Sequence, residues 1–232
     1  MPDHDPVTAQ TTRREFDALL RRVREEQAGP AAGAGRGSLT ALARQAVAGK
    51  DGPAARDELV LALTMPGQPL WARETAAFAL GCAGDRRAFE TLVLLLNHRD
   101  PDRCATAAHA LARLGDPRTA RAAAALATNP LRTAYALHPV RLLTALRAPE
   151  SVPALTATLE RLLGPAEPGG VAAYGRVALA CVEGLGALGD PRAVPVLTAA
   201  RADHRLAPAA AAALGRVERS GEDSGSAGRD GG

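Results

Sequence analysis

The sequence predicts an all-α protein, a right-handed α-solenoid of about five helix pairs with an N-terminal helical cap. Three observations carry that prediction. A thirteen-residue phrase close to LGALGDPRAVPVL recurs at Leu185–Leu197, Leu143–Leu155, Leu111–Ala123, Leu80–Leu92 and, in worn form, Val47–Leu59, with a sixth start at Leu214. Successive starts lie 33, 31, 32, 42 and 29 residues apart, the period of a stacked array of supersecondary units. No alternating strand pattern of useful length interrupts the 232 residues.

From the N-terminus, residues 1–11 have no apolar signal core and read as a disordered leader. Residues 12–27 read as a polar amphipathic helix with Phe16, Leu19, Leu20 and Val23 on one face. The stretch Gly29–Gly37 reads as a Gly/Ala linker, and Ser38 as the cap of a helix ending near Ala48, so residues 12–48 form an N-terminal cap. The array occupies residues 49–217, and residues 218–232 offer no aliphatic or aromatic side chain to bury and read as a disordered tail.

The phrase itself is two helix ends meeting. In its best copy Leu185 and Leu188 close one apolar stripe, and Gly189 can take the left-handed conformation that ends a helix. Asp190 is a cap for the next helix, Pro191 suits its first position, and Val194 and Leu197 restart the stripe. Polar or Pro-containing breaks at Met65–Pro69, Asn97–Asp102, Thr128–Pro130 and Ala202–His204 separate the two helices of each repeat, with Asp102 as a cap. The outgoing helices, such as Arg73–Leu80 and Ala207–Leu214, are Ala-rich, which favours helix and close approach. Two irregularities stand out. Arg147-Ala148 replaces Gly-Asp in the fourth copy, leaving that corner without its terminator and cap, and GPAEPGG (Gly164–Gly170) falls in the long interval. Pro139 either begins a helix or bends one.

The helix pair, the GDPR-type corner and the period together resemble the HEAT-like repeats of the type first described in phycobilisome lyases, over roughly residues 38–217. The resemblance implies an extended binding surface. Some HEAT-like proteins are di-iron hydroxylases with His-Glu dipeptides on successive repeats, and this chain has no His-Glu pair. Certain alkylpurine DNA glycosylases are small HEAT-like solenoids with a basic concave cleft; the likeness extends to size and architecture, and no catalytic residue of theirs carries over. A lyase-like accessory role has only the repeat type in its favour.

The sequence contains no motif for a catalytic residue, a cofactor or a metal site. Cys82, Cys104 and Cys181 occupy different slots of the repeat and read as small packers in a reducing cytosol. Cys-x-x-Cys, His-x-x-x-His, G-x-S-x-G and a phosphate-binding loop are all missing, and no stretch approaches a membrane span. The charge is more informative. Residues 103–147 carry seven Arg against Asp116 alone, while the flanking segments are slightly acidic. Lys50 is the single lysine among 28 basic residues, so the Arg bias also fits a GC-rich coding genome and a solvated face. Trp71, Tyr135 and Tyr174 precede anchor leucines on outgoing helices, which usually line the concave side. With Arg103, Arg132, Arg141 and Arg176 they form one candidate partner-binding groove, although each ring also fits helix packing. The resulting expectation is a cytoplasmic, non-enzymatic adaptor for an acidic protein partner, without membrane contact, and nucleic acid is the alternative partner.

Overall fold

A computed structural model describes residues 6–26, 36–165 and 169–226. The helices are α1 (Pro6–Glu26), α2 (Arg36–Val47), α3 (Pro53–Thr64), α4 (Leu70–Cys82), α5 (Phe89–Leu96), α6 (Pro101–Leu114), α7 (Arg118–Thr128), α8 (Leu137–Leu146), α9 (Ser151–Leu163), α10 (Gly170–Leu188), α11 (Val194–Ala200) and α12 (Ala207–Ser226). Single 3₁₀ turns at Arg86–Ala88 and Pro191–Ala193 open α5 and α11, and a longer 3₁₀ segment, Pro130–Tyr135, precedes α8. No strand occurs among the described residues. Consecutive helices pack as pairs, the arrangement of an all-α solenoid.

The chain divides into two compact units, residues 1–119 and 120–232. In the first, α4 is central: α2, α3, α5 and α6 pack on it, and α1 lies across α4 and α6. Its core holds Leu59, Phe78, Leu80, Leu92, Leu96 and Leu111, all essentially inaccessible. In the second, α10 is central, packed on α8, α9, α12 and the Pro130–Tyr135 segment around Leu143, Leu155, Leu159 and Leu185. By length and mean hydropathy (1.4 over 18 residues) α10 would suffice to cross a bilayer, although Arg176 and Glu183 interrupt its apolar run. Here it is a core helix, with 44% of that 18-residue window buried.

The corners follow the predicted chemistry closely. After α4, Gly84 turns left-handed at φ 75°, and the Asp85 N–H donates to the Leu80 carbonyl at 2.9 Å, closing the helix end. Gly115 (φ 65°) and Gly189 (φ 70°) do the same work after α6 and α10. At each corner the aspartate accepts the N–H two residues on: Asp85 from Arg87 (3.1 Å), Asp116 from Arg118 (2.9 Å) and Asp190 from Arg192 (2.9 Å). The same arginine's guanidinium then pairs with that carboxylate, at 2.6 Å for Arg87 and Arg192 and 3.0 Å for Arg118. Hydrogen bonds from these guanidinia hold all three aspartates below the usual carboxylate range. Two of the arginines also reach back one repeat, Arg87 to Asp57 (2.7 Å) and Arg118 to Glu90 (3.0 Å), and Arg118 lies 3.9 Å over the Phe89 ring.

Some expectations change. The fourth corner keeps its turn: Arg147 itself adopts φ 50° and ψ 33°, the sole non-glycine residue at positive φ among those described. No side chain caps α9; Ser151 instead ties down the turn, its hydroxyl accepting from the Ala148 N–H (3.1 Å) and donating to the Leu143 carbonyl (2.6 Å). Pro139 sits in the first turn of α8, where a missing N–H breaks no helical bond. Asp100, one residue before Pro101, caps α6 in place of Asp102. At the N-terminus α1 starts at Pro6, ahead of Thr12, since Thr12 is itself buried and anchors the preceding turns. Residues 29–35 of the expected linker lie outside the described residues, and Arg36 and Gly37 already belong to α2, which contains Ser38. The helix α12 runs on to Ser226, past the expected limit at Val217; adding residues to a packed helix costs little once it is nucleated. Of the Gly164–Gly170 insertion, residues 166–168 lie outside the described residues.

Candidate functional site

All seven candidate partner-binding residues fall on outgoing helices or the turn that introduces one. Trp71 is on α4 and Arg103 on α6; Arg132 and Tyr135 precede α8, Arg141 is on α8, and Tyr174 and Arg176 open α10.

In the first unit the expected open face is covered. Helix α1 buries Phe16, Leu19, Leu20 and Val23, a stripe at positions i, i+3, i+4 and i+7, against α4 and α6. Phe16 stacks on Phe78 with centroids 5.6 Å apart, and Phe78 stacks on His109 at 5.8 Å. Thr12 Oγ1 lies 3.0 Å from His109 Nε2. Burial pulls His109 below the ordinary histidine pKa, and the nearby Arg113 charge adds to the effect.

Arg103 is therefore not a groove cation. It is 6% exposed, and its guanidinium meets Glu74 (2.5 Å), Glu26 (2.5 Å) and Asp100 (3.2 Å). Glu74, 1% exposed in the middle of α4, also pairs with Arg22. Burial drives the Glu74 carboxyl up, against the lowering pull of Arg22 and Arg103. Burial also opposes the Arg103 charge, but Glu74, Glu26 and Asp100 hold its pKa above the ordinary value. One buried network thus clamps α1 to α4 and α6. The sequence reading missed Glu74, Arg22, Glu26, Thr12 and His109. The α1 stripe was visible, but not the surface it would meet.

Trp71 is half-buried and lines a cleft of about 330 Å³ with Leu39, Leu42, Leu61 and Gln68, residues that take no part in the Arg103 network. In the second unit the Arg132 guanidinium sits 4.5 Å over the Tyr135 ring. Tyr174 is half-buried at a break in α10 (φ −118°, ψ 31°), and Arg141 and Arg176 are exposed. Among the described residues neither of these two arginines has a carboxylate within 4 Å, unlike the corner arginines. Helix α10 packs on both α8 and Pro130–Tyr135, so five of the seven candidates belong to α10 and the two segments packed on it. Counting back two residues from each anchor leucine gives Phe78, His109, Arg141 and Glu183. The first two lie under or beside α1, whereas Arg141 and Glu183 are exposed.

Cys104 and Cys181 are buried, and burial pushes Cys82 and Cys181 up to about 12. No group of His, Cys, Asp and Glu suited to a metal ion occurs among the described residues.

Residues 58–138 match the family model for HEAT repeats, and residues 177–203 match that for the PBS lyase HEAT-like repeat. No curated protein matches the chain. Seven solved chains match. They include human deoxyhypusine hydroxylase in complex with glycerol, 18% identical, with a TM-score of 0.32 over 94% of this chain and 100% of that one. So loose a superposition carries no argument about function.

Proposed function

We propose that this chain, a HEAT-like repeat protein, is a non-enzymatic cytoplasmic scaffold whose outgoing-helix face in the second unit binds an acidic protein. The observation that carries the reading is the contrast among its arginines. Arg87, Arg118 and Arg192 at the corners and Arg103 under α1 are committed to carboxylates of the same chain, while Arg141 and Arg176 stand exposed with none within 4 Å among the described residues. Such cations raise association rates with an acidic surface and fix its register, at modest cost in desolvation. Arg132 over Tyr135 adds a flat cationic and aromatic contact of the kind found at binding hot spots. The three free thiols, two of them buried, suit a reducing compartment.

The test is capture from native cytosol with the wild type and with a variant carrying Arg132→Glu, Arg141→Glu and Arg176→Glu. Arg103 is left intact because its removal would disturb the fold. Selective loss of acidic proteins from the variant's catch supports the reading, and an unchanged set of proteins would overturn it. Salt-sensitive binding of duplex DNA by the wild type, lost in the variant, would transfer the face to nucleic acid.

A further inference from the structure

We propose that the α4–α6 face of the first unit is a groove for an amphipathic helix, that α1 is its resident occupant, and that a partner helix of the same pattern displaces α1. The inference extends the scaffold reading to a second surface and to a defined partner chemistry.

The surface beneath α1 has the make-up of a recognition face. Where α10 meets α12 the contact is small and close, a Cβ on Gly186 coming within 2.6 Å of Ala213. The α4–α6 face instead presents Glu74, Arg103 and His109 around Phe78. Each of these meets a specific α1 side chain: Glu74 takes Arg22, Arg103 takes Glu26, His109 takes Thr12, and Phe78 takes Phe16. The code for an incoming helix is therefore a hydroxyl, then Phe four residues on, Leu-Leu at three and four beyond that, Arg, Val, and a carboxylate at the end.

The fit is also one-sided. Against α4 and α6 the α1 stripe is fully buried. Toward the C-terminal end of α2, its sequence neighbour, α1 leaves a cleft of about 220 Å³ between Arg13, Phe16, Asp17, Arg44, Val47 and Ala48. A second gap of about 70 Å³ reaches Cys82 and Arg113. Both clefts open to solvent, so α1 is held along its α4–α6 side and leaves its α2 edge bare, as a docked helix would. Recognition of a helix through i, i+3, i+4 and i+7 anchors is a recurrent binding mode, and a tethered copy competes at an effective concentration in the millimolar range.

The test uses the full chain with a protease recognition sequence in place of residues 29–35 and a fluorescent peptide spanning residues 6–26. After cutting, the peptide is expected to exchange onto the array saturably, with at least tenfold weaker binding for peptides carrying Leu20→Asp or Glu26→Arg. The uncut chain should bind it about a hundredfold more weakly, because tethered α1 holds the groove. Equal binding by cut and uncut chains, or no exchange after cutting, would overturn the proposal. Loss of helicity on cutting would make α1 an integral part of the array and overturn it equally. A dimer formed by exchange of α1 between copies, with no peptide exchange, would give the groove to a second copy instead. None of these results depends on the second-unit arginines, so the scaffold reading and this one fail separately.

Discussion

Removing the Arg103 guanidinium tests the buried network at its centre. Glu74 is 1% exposed, and its charge is balanced by Arg22 and Arg103 alone. Arg103→Ala leaves that carboxylate half-compensated, leaves Glu26 and Asp100 without their partner, and opens a gap between α1 and α6. Breaking a buried pair from one side costs about 3–5 kcal/mol. The loss has a ceiling, however, because α1 can lift off and let water reach Glu74. The gross contribution of the four α1 anchors is about 2 kcal/mol each, much of it offset by ordering the helix. A net loss of about 3 kcal/mol is expected, concentrated in α1. Arg141→Ala, exposed on α8, should stay within about 0.5 kcal/mol of the wild type. Urea unfolding followed by circular dichroism gives the totals, and hydrogen exchange on α1, α4 and α6 shows where the loss falls. If Arg103→Ala and Arg141→Ala matched in both measurements, the network would not be holding α1 in place.

Further outcomes follow from the corners, the helix contacts and the buried histidine. Gly115→Ala puts a Cβ at φ 65°, where no neighbour crowds it, so the backbone cost alone of about 1 kcal/mol should appear in thermal unfolding. Arg147→Gly should be close to neutral, since relief of the same strain is offset by the greater freedom of glycine in the unfolded chain and by loss of the Arg147–Ala187 carbonyl bond at 3.1 Å. Gly186→Ala forces α10 from α12, where its Cβ would lie 2.7 Å from the Ala213 Cα; a loss of about 1–3 kcal/mol should show as faster proteolysis within α12. His109 has a lowered pKa when folded, so the unfolded or undocked state binds more protons. Docking of α1 is therefore fully stable above about pH 6.5 and weakens as pH falls from there toward the folded pKa. The protection factors of the α1 amides, taken relative to the intrinsic rate at each pH, should fall between pH 7 and 5.5, and His109→Phe should flatten that dependence. The raised Glu74 pKa works in the opposite sense at lower pH, so the loss of protection should not continue indefinitely.

What the sequence disclosed was local. A Gly-Asp pair followed by Pro and Arg encodes its own turn, and the five corners stand where the phrase placed them. The fourth corner shows the limit of that logic: Arg147 takes the left-handed conformation because the flanking helices impose it, and Ser151 acts from three residues farther on than the usual cap. The position of Arg103 was hidden for a different reason. Its partner Glu26 is 77 residues away and Glu74 is 29 away; the one local sign was Asp100, three residues back, which on its own also fits an exposed helix-surface pair. Helix α1 read as an end cap because its stripe has the right period; period does not reveal which surface it covers.

Hydrogen–deuterium exchange on a captured complex, compared with the free chain, tests the binding reading most directly. Protection is predicted on the exposed positions of Pro130–Tyr135, α8 and the opening turns of α10, with loss of that protection in the triple arginine variant. Protection confined to the incoming helices α9 and α11, with the outgoing helices unchanged, would contradict it.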